Sequence, residues 1–368
     1  GQQTKRKTVY EVCQPDAISI PFVYETYSGF SEEVSFEISG LPAGVGASFS
    51  PATATANDTQ VSLTINDTAN AAAGSYEILI QAIGASQAKE LPLQLLVSGI
   101  DFPEVGLASP EDGAQDVSTF HVFEWQANPL YTSYDIQIST DAGFSNLIET
   151  ATVFDTKFKP SNLDNETNYF WRISPRNGCG EGSFGASSSF TTIGQSCVSR
   201  VGTGLPIPIS ASGTPTITSK ITFYDDLALT DLKVNLELDH TYLSDLVITL
   251  TSPSGKEVAL VSNSCGDLIN INATFDDTAD DFVCDGTPAI NGTVAPLVGF
   301  NGLIGESIAG EWTLTVIDTE NADGGTLKGF SMDVCAEGEF APDEDGDGVF
   351  DSDDICAGTP LGTEVDVT

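Results

Sequence analysis

The stretch His240-Thr241-Tyr242-Leu243-Ser244-Asp245-Leu246-Val247-Ile248-Thr249-Leu250-Thr251-Ser252-Pro253-Ser254-Gly255 carries the strongest structural signal in the chain. Leu246, Ile248 and Leu250 alternate with Val247, Thr249 and Thr251, a period of two that sends one set of side chains to each face of a β-strand. Ser252-Pro253-Ser254-Gly255 then predicts a turn, because proline presets φ and glycine accepts φ > 0. Farther on, Trp312-Thr313-Leu314-Thr315-Val316-Ile317 is dense in aromatic and β-branched residues and closes at Asp318, which predicts a second strand. An antiparallel sandwich or jelly roll over residues 196–338 follows.

The same alternation recurs upstream. Val34-Ser35-Phe36-Glu37-Ile38, Val61-Ser62-Leu63-Thr64-Ile65 and Tyr76-Glu77-Ile78-Leu79-Ile80 read as short strands separated by Gly, Pro, Asn and Asp, and helical periodicity is almost absent. Breaks fall near Ser98-Gly99, Ile193-Gly194-Gln195 and Glu339-Phe340-Ala341-Pro342. The expectation is an all-β chain of serial β-sandwiches over 1–98, 99–194 and 195–338, followed by a short tail over 339–368.

Composition narrows the function. The chain has 368 residues and 40% hydrophobic content, enough for two or three ordinary cores. Against 53 acidic side chains there are only 13 basic ones, a formal net charge of −40. Such a surface repels nucleic acid and anionic membranes and attracts multivalent cations. Seven cysteines with two histidines and one methionine point to an oxidising compartment, extracellular or at the cell surface. No run approaches the roughly 20 apolar residues of a membrane helix, so no membrane insertion is expected. The first residues, Gly1-Gln2-Gln3-Thr4-Lys5-Arg6-Lys7, lack the apolar core of a signal peptide, and the chain reads as an internal piece of a longer exported protein.

An inventory of catalytic groups finds little. His121 and His240 are far apart in sequence and no His-Glu-x-x-His occurs, so no zincin motif is present. His240 with Asp245 and the nearby serines offers a Ser-His-Asp triad on paper, set against a family resemblance, given below, that implies structural roles for these residues and a His240 bonded within its loop. These residues are therefore expected not to form an enzyme.

Metal chemistry is better supported. In Asp343-Glu344-Asp345-Gly346-Asp347-Gly348-Val349-Phe350-Asp351-Ser352-Asp353-Asp354, the carboxylates of Asp343, Asp345, Asp347, Asp351 and Asp354 and the Val349 carbonyl fall where a calcium loop places its oxygens, with Gly348 at the sharp turn. Asp354 replaces the long bidentate Glu of an EF-hand, and no amphipathic helices flank the loop. A second calcium site is read at Asp276 and Asp277, with Asp280, Asp281 and Asp285 close by in sequence. There a metal would relieve repulsion between adjacent carboxylates. A solvent-exposed acidic loop is the alternative.

Four signatures in order, His240–Gly255, Phe275-Asp276-Asp277, Gly310-Glu311-Trp312-Thr313-Leu314 and Asp323-Gly324-Gly325-Thr326-Leu327, resemble the P domain (P/Homo B domain) of proprotein convertases and of bacterial secreted proteases. The resemblance implies a β-sandwich that accompanies catalysis without performing it. Leu41-Pro42-Ala43-Gly44-Val45 with Gly74-Ser75-Tyr76-Glu77-Ile78 resembles Ig-like modules of secreted Bacteroidetes proteins, with Tyr76 either a tyrosine corner or a core aromatic. Pro110, Trp125, Tyr134-Asp135-Ile136-Gln137-Ile138-Ser139, Tyr169 and Trp171 resemble a fibronectin type III domain, in which Trp125 and Trp171 are packed core residues. The tail, with Cys356 and Thr359-Pro360, resembles a thrombospondin type 3 repeat.

These resemblances, together with position, imply disulfides Cys197–Cys335 and Cys265–Cys284. Cys13 and Cys179 are left to pair between domains, unless Cys13 reaches an upstream domain, and Cys356 is left to a partner after Thr368. Asp67-Thr68-Ala69 and Asp277-Thr278-Ala279 match the short O-glycosylation pattern of that phylum and imply glycans on Thr68 and Thr278. Taken together, the chain is expected to be a calcium-stabilised accessory region downstream of a protease catalytic domain, serving stabilisation, spacing and attachment to a surface or substrate. Its partners are expected to be that upstream domain and protein or glycan ligands. The alternative is an adhesin or filament-forming surface protein that self-associates.

Overall fold

The computed structural model describes residues 9–342, and the tail read as a calcium loop (Asp343, Asp345, Asp347, Val349, Asp351, Asp354) lies outside them. Among the described residues there is no α-helix; short 3-10 turns occur at Thr68–Asn70, Leu243–Asp245 and Phe300–Gly302, and the rest of the regular structure is β-strand. The chain divides into two compact units, the residues up to Leu163 with Thr167–Thr191, and Asp164–Glu166 with the residues from Thr192 onward.

The first unit contains two sandwiches. In the first, one sheet runs in the order Val9–Cys13, Ala88–Ser98, Gly74–Ile83, Val34–Ser39, Thr53–Ala54, and the facing sheet runs Ile18–Tyr24, Thr59–Asn66, Gly46–Ser50. Period-two patterning produces the core directly: Val61, Leu63 and Ile65 are buried on Thr59–Asn66, Leu63 and Ile65 clustering with Ile20, Ile78 and Leu95, and Val61 with Val34 and Phe36. The Tyr76 hydroxyl donates to the Ala72 carbonyl at 2.8 Å, the back-bonding geometry of a tyrosine corner.

In the second sandwich the larger sheet runs Ala114–Val117, Ser188–Thr192, Asn168–Asn177, Ser133–Ser139, Leu147–Val153, and the smaller one runs Lys157–Phe158, Phe123–Trp125, Leu107–Ser109. Its core is aromatic. Phe123 lies 5.0 Å from Trp171 and 5.3 Å from Phe190, centroid to centroid, and both tryptophans are buried. Burial on this scale, about 1.5–3 kcal/mol for each large side chain, outweighs any single surface contact in holding the two sheets together.

The second unit is built on two facing sheets. One runs Gln195–Val201, Gly325–Glu337, Leu229–His240, Ile271–Phe275, Ile290–Val294, and the other Thr216–Phe223, Gly310–Asp318, Leu246–Thr251, Glu257–Ser262. All pairings along these two paths are antiparallel except Ile271–Phe275 with Ile290–Val294. Leu246, Ile248 and Leu250 are fully buried, and Val247, Thr249 and Thr251 are not. Gly255 closes the predicted turn at φ +85°, donating its N–H to the Ser252 carbonyl at 2.9 Å. Gly325 sits opposite His240, and a Cβ there would lie 1.9 Å from the Asp239 carbonyl oxygen, so only glycine lets the two longest strands pair.

Candidate functional site

His240 ends the strand Leu229–His240 at the point where the chain turns into the 3-10 turn Leu243–Asp245. Its ring is buried, with Nδ1 2.9 Å from the Tyr242 carbonyl oxygen and Nε2 3.3 Å from Oδ2 of Asp318, whose side chain is equally buried. The loop is fixed further by Asp245, whose carbonyl accepts both the N–H and the hydroxyl of Thr319 at 2.8 Å. Ser244 donates to Asp245 at 3.0 Å and not to the histidine. The ring thus faces Asp318 and a backbone carbonyl, with no serine oxygen on either nitrogen, so the arrangement ties two strand ends together and does not line up a nucleophile. The other histidine, His121, places Nε2 2.8 Å from Ser109 Oγ, and burial lowers its pKa. Of four cavities of about 210–450 Å³ among the described residues, none is lined by a histidine.

The Asp276-Asp277 pair follows the strand Ile271–Phe275. Asp276 is buried, with Oδ2 2.8 Å from Lys233 Nζ and Oδ1 accepting the Thr278 N–H and hydroxyl at 2.8 and 2.7 Å. The Lys233 hydrogen bond, followed by those from Thr278, holds its carboxyl down at about 2. Asp277 turns the other way and accepts the Phe300 N–H at 2.8 and 2.9 Å. Asp276 is thus paired with a lysine and Asp277 with a backbone amide, partners that offset the charge of two adjacent carboxylates. Among the described residues, no three His, Cys, Asp or Glu side chains form a group able to hold a metal ion.

Among the described residues the cysteines pair as Cys13–Cys179, Cys197–Cys335 and Cys265–Cys284, and Cys356 lies outside these residues. Cys197 and Cys335 are opposite one another on neighbouring strands, and Cys13 leaves the first strand of the first sandwich to reach the Asn177–Gly180 turn of the second. The proposed glycan on Thr68 needs correction. That residue is fully buried and its hydroxyl donates to the Asp16 carbonyl at 2.7 Å, leaving no path for a sugar to the oxygen. Thr278 is exposed, with its hydroxyl turned towards Asp276.

One feature on the outer face of the second unit's longer sheet escaped the sequence reading. Thr274 donates to Asn235 at 2.6 Å, and Asn235 donates to Ser331 and Asp333 at 3.2 and 3.0 Å. Thr274, Asn235 and Ser331, with Gly292 and Gly329, line an open groove of about 450 Å³. The available signal was the run of polar residues at outward parity on three neighbouring strands.

Residues 229–334 match the proprotein convertase P-domain family. The match spans the histidine loop, the acidic pair and the Gly325 contact. Among solved structures, the serine protease of Aeromonas sobria is 21% identical, covering 39% of this chain and 27% of its own, with a TM-score of 0.26. The complex of that protease with its chaperone is 18% identical, covering 56% and 36%, with a TM-score of 0.27. The FN1–FN3 domains of chicken CNTN1 are 12% identical, covering 67% and 81%, with a TM-score of 0.24. The chain thus spans about a quarter to a third of the length of the Aeromonas sobria structures it matches. No curated protein matches it.

Proposed function

We propose that this chain is a non-catalytic accessory region of an exported multidomain protein whose polypeptide also carries a protease catalytic domain, and that the P-domain segment stabilises that domain. The observation behind this reading is the P-domain match over residues 229–334, supported by a site geometry in which the buried His240 closes its loop against the Tyr242 carbonyl and Asp318. Three disulfides fit an oxidising, extracellular setting. The two upstream sandwiches act as spacers between attachment points, and the tail binds calcium through Asp343, Asp345, Asp347, Val349, Asp351 and Asp354, a reading supported by the sequence pattern alone.

The test is to compare the half-life of peptidase activity at elevated temperature in the native polypeptide and in a version lacking residues 195–338. The proposal expects the deletion to shorten that half-life severalfold. An unchanged half-life would refute the stabilising role.

A further inference from the structure

The first sandwich carries a cavity that neither the P-domain match nor the proposed accessory role accounts for. It lies at one end of the sandwich, has a volume of about 440 Å³, and is lined by Tyr24, Tyr27 and Phe30 together with Glu25, Gln87 and Lys89. That size falls within the roughly 300–1,000 Å³ typical of small-molecule sites. Tyr27 is 73% exposed, an unusual position for a large aromatic ring at a cavity mouth.

Both walls are held in place before any ligand arrives. On one side the Thr26 N–H donates to Asn57 Oδ1 at 2.7 Å, the Phe30 N–H donates to the Tyr27 carbonyl at 3.2 Å, and Ser28 and Gly29 take positive φ values of 59° and 76°, so a closed turn presents Tyr27. The Tyr27 hydroxyl donates to Glu25 Oε2 at 2.5 Å. On the other side the Gly84 N–H meets the Gln87 carbonyl at 2.8 Å, and the Ser86 N–H donates to Glu32 at 2.9 Å, fixing the hairpin that carries Gln87 and Lys89. Tyr24 packs edge-on against Phe36, 5.9 Å between centroids, so its ring is anchored in the core while it lines the cavity. Fixed walls remove ordering costs from binding.

The lining chemistry selects the ligand. Glu25 and Lys89 are the charged groups of the lining, and the Glu32 carboxylate stands beside it on the Ser86 N–H, so an anion is disfavoured. An acyl chain would lie against Glu25 and Lys89 without replacing the hydrogen bonds these groups make to water. A neutral polyol satisfies both requirements, since its hydroxyls can donate to Glu25 and Gln87 and accept from Lys89 and Gln87, while its C–H faces cover the aromatic rings.

We infer that the cavity between the Tyr27 turn and the Gln87–Lys89 hairpin binds a neutral carbohydrate, one or two sugar units of a longer glycan. The inference gives the attachment role a site and a ligand class, and it does not depend on the protease reading. The test is isothermal titration of the full chain with cellohexaose, chitohexaose and mannohexaose at millimolar concentration, repeated with Tyr27→Ala and Lys89→Ala. Both residues are exposed, so the variants should keep the melting temperature of the parent. The expected result is saturable binding of at least one hexasaccharide, weakened about tenfold by Tyr27→Ala through loss of ring contact. No heat from any of the three sugars, or binding equally strong in both variants, would overturn the site. Neither result would touch the peptidase comparison that tests the accessory role.

Discussion

Two carboxylates show how local hydrogen bonding decides structure at the residue scale. Asp141 accepts the N–H groups of Gly143, Ser145 and Asn146 at 2.9, 3.3 and 2.7 Å, and these bonds, led by Asn146, hold its pKa down at about 2. The loop so fixed keeps Phe144 at φ +55°, with its ring 3.8 Å from the Arg172 guanidinium carbon, a strained backbone position balanced by a cation–π contact. Asp276 is held down to about 2 in the same manner, by Lys233 and Thr278. Both groups have folded pKa values below the ordinary 3.8, so their stabilisation is complete above that value and is lost as pH falls through about 2. Acid titration should therefore show stability constant above pH 4 and declining towards pH 2 on account of these two groups. The Asp276→Ala variant should lose about 2 kcal/mol at pH 7 and show a weaker acid dependence, read by urea unfolding at several pH values. An Asp276→Ala variant as stable as the parent at pH 7 would count against the Lys233 pairing. For Asp141→Ala, faster hydrogen exchange confined to residues 140–146 is expected, and uniform exchange across the chain would contradict the loop-clamp account.

At the scale of elements, the sequence made strands legible wherever one face was buried, because period-two patterning is a direct consequence of burial. Leu246–Thr251 is the clearest case, together with its turn at Gly255. Less was legible where tertiary partners decide the outcome. Asp276 and Asp277 are adjacent acids in sequence, and nothing local reveals that Lys233, 43 positions upstream, arrives on the neighbouring strand, or that Phe300 offers an amide from the other side. The Asp-Thr-Ala motif at Thr68 likewise says nothing of burial, which sets its hydroxyl on the Asp16 carbonyl 52 positions upstream. His240 was placed correctly within its loop, but its partner Asp318 lies 78 residues away and could not be read from the local motif. Two predictions belong to this scale. Gly325→Ala should cost about 3 kcal/mol by forcing a methyl group against the Asp239 carbonyl, measured by thermal unfolding, and a neutral effect would contradict the strand register. Replacing Cys265 and Cys284 by serine should cost about 3 kcal/mol for the 19-residue separation they span, and an unchanged midpoint in denaturant would show that this bridge does not constrain the unfolded chain.

For the whole molecule, the charge of −40 draws cations towards the surface, and the three disulfides among the described residues fit an oxidising medium. If the tail carboxylates wrap calcium, chelation should speed proteolysis between Phe340 and Cys356, and cleavage at equal rates with and without chelator would return the segment to an acidic linker. The central claim is that these residues assist a protease without being one. Peptidase activity on a fluorogenic peptide library tests it most directly, measured side by side on this chain alone and on the native polypeptide that contains it. The account predicts turnover by the native polypeptide and none above buffer by the chain alone. Turnover by the isolated chain, or a native polypeptide with no peptidase activity at all, would contradict it.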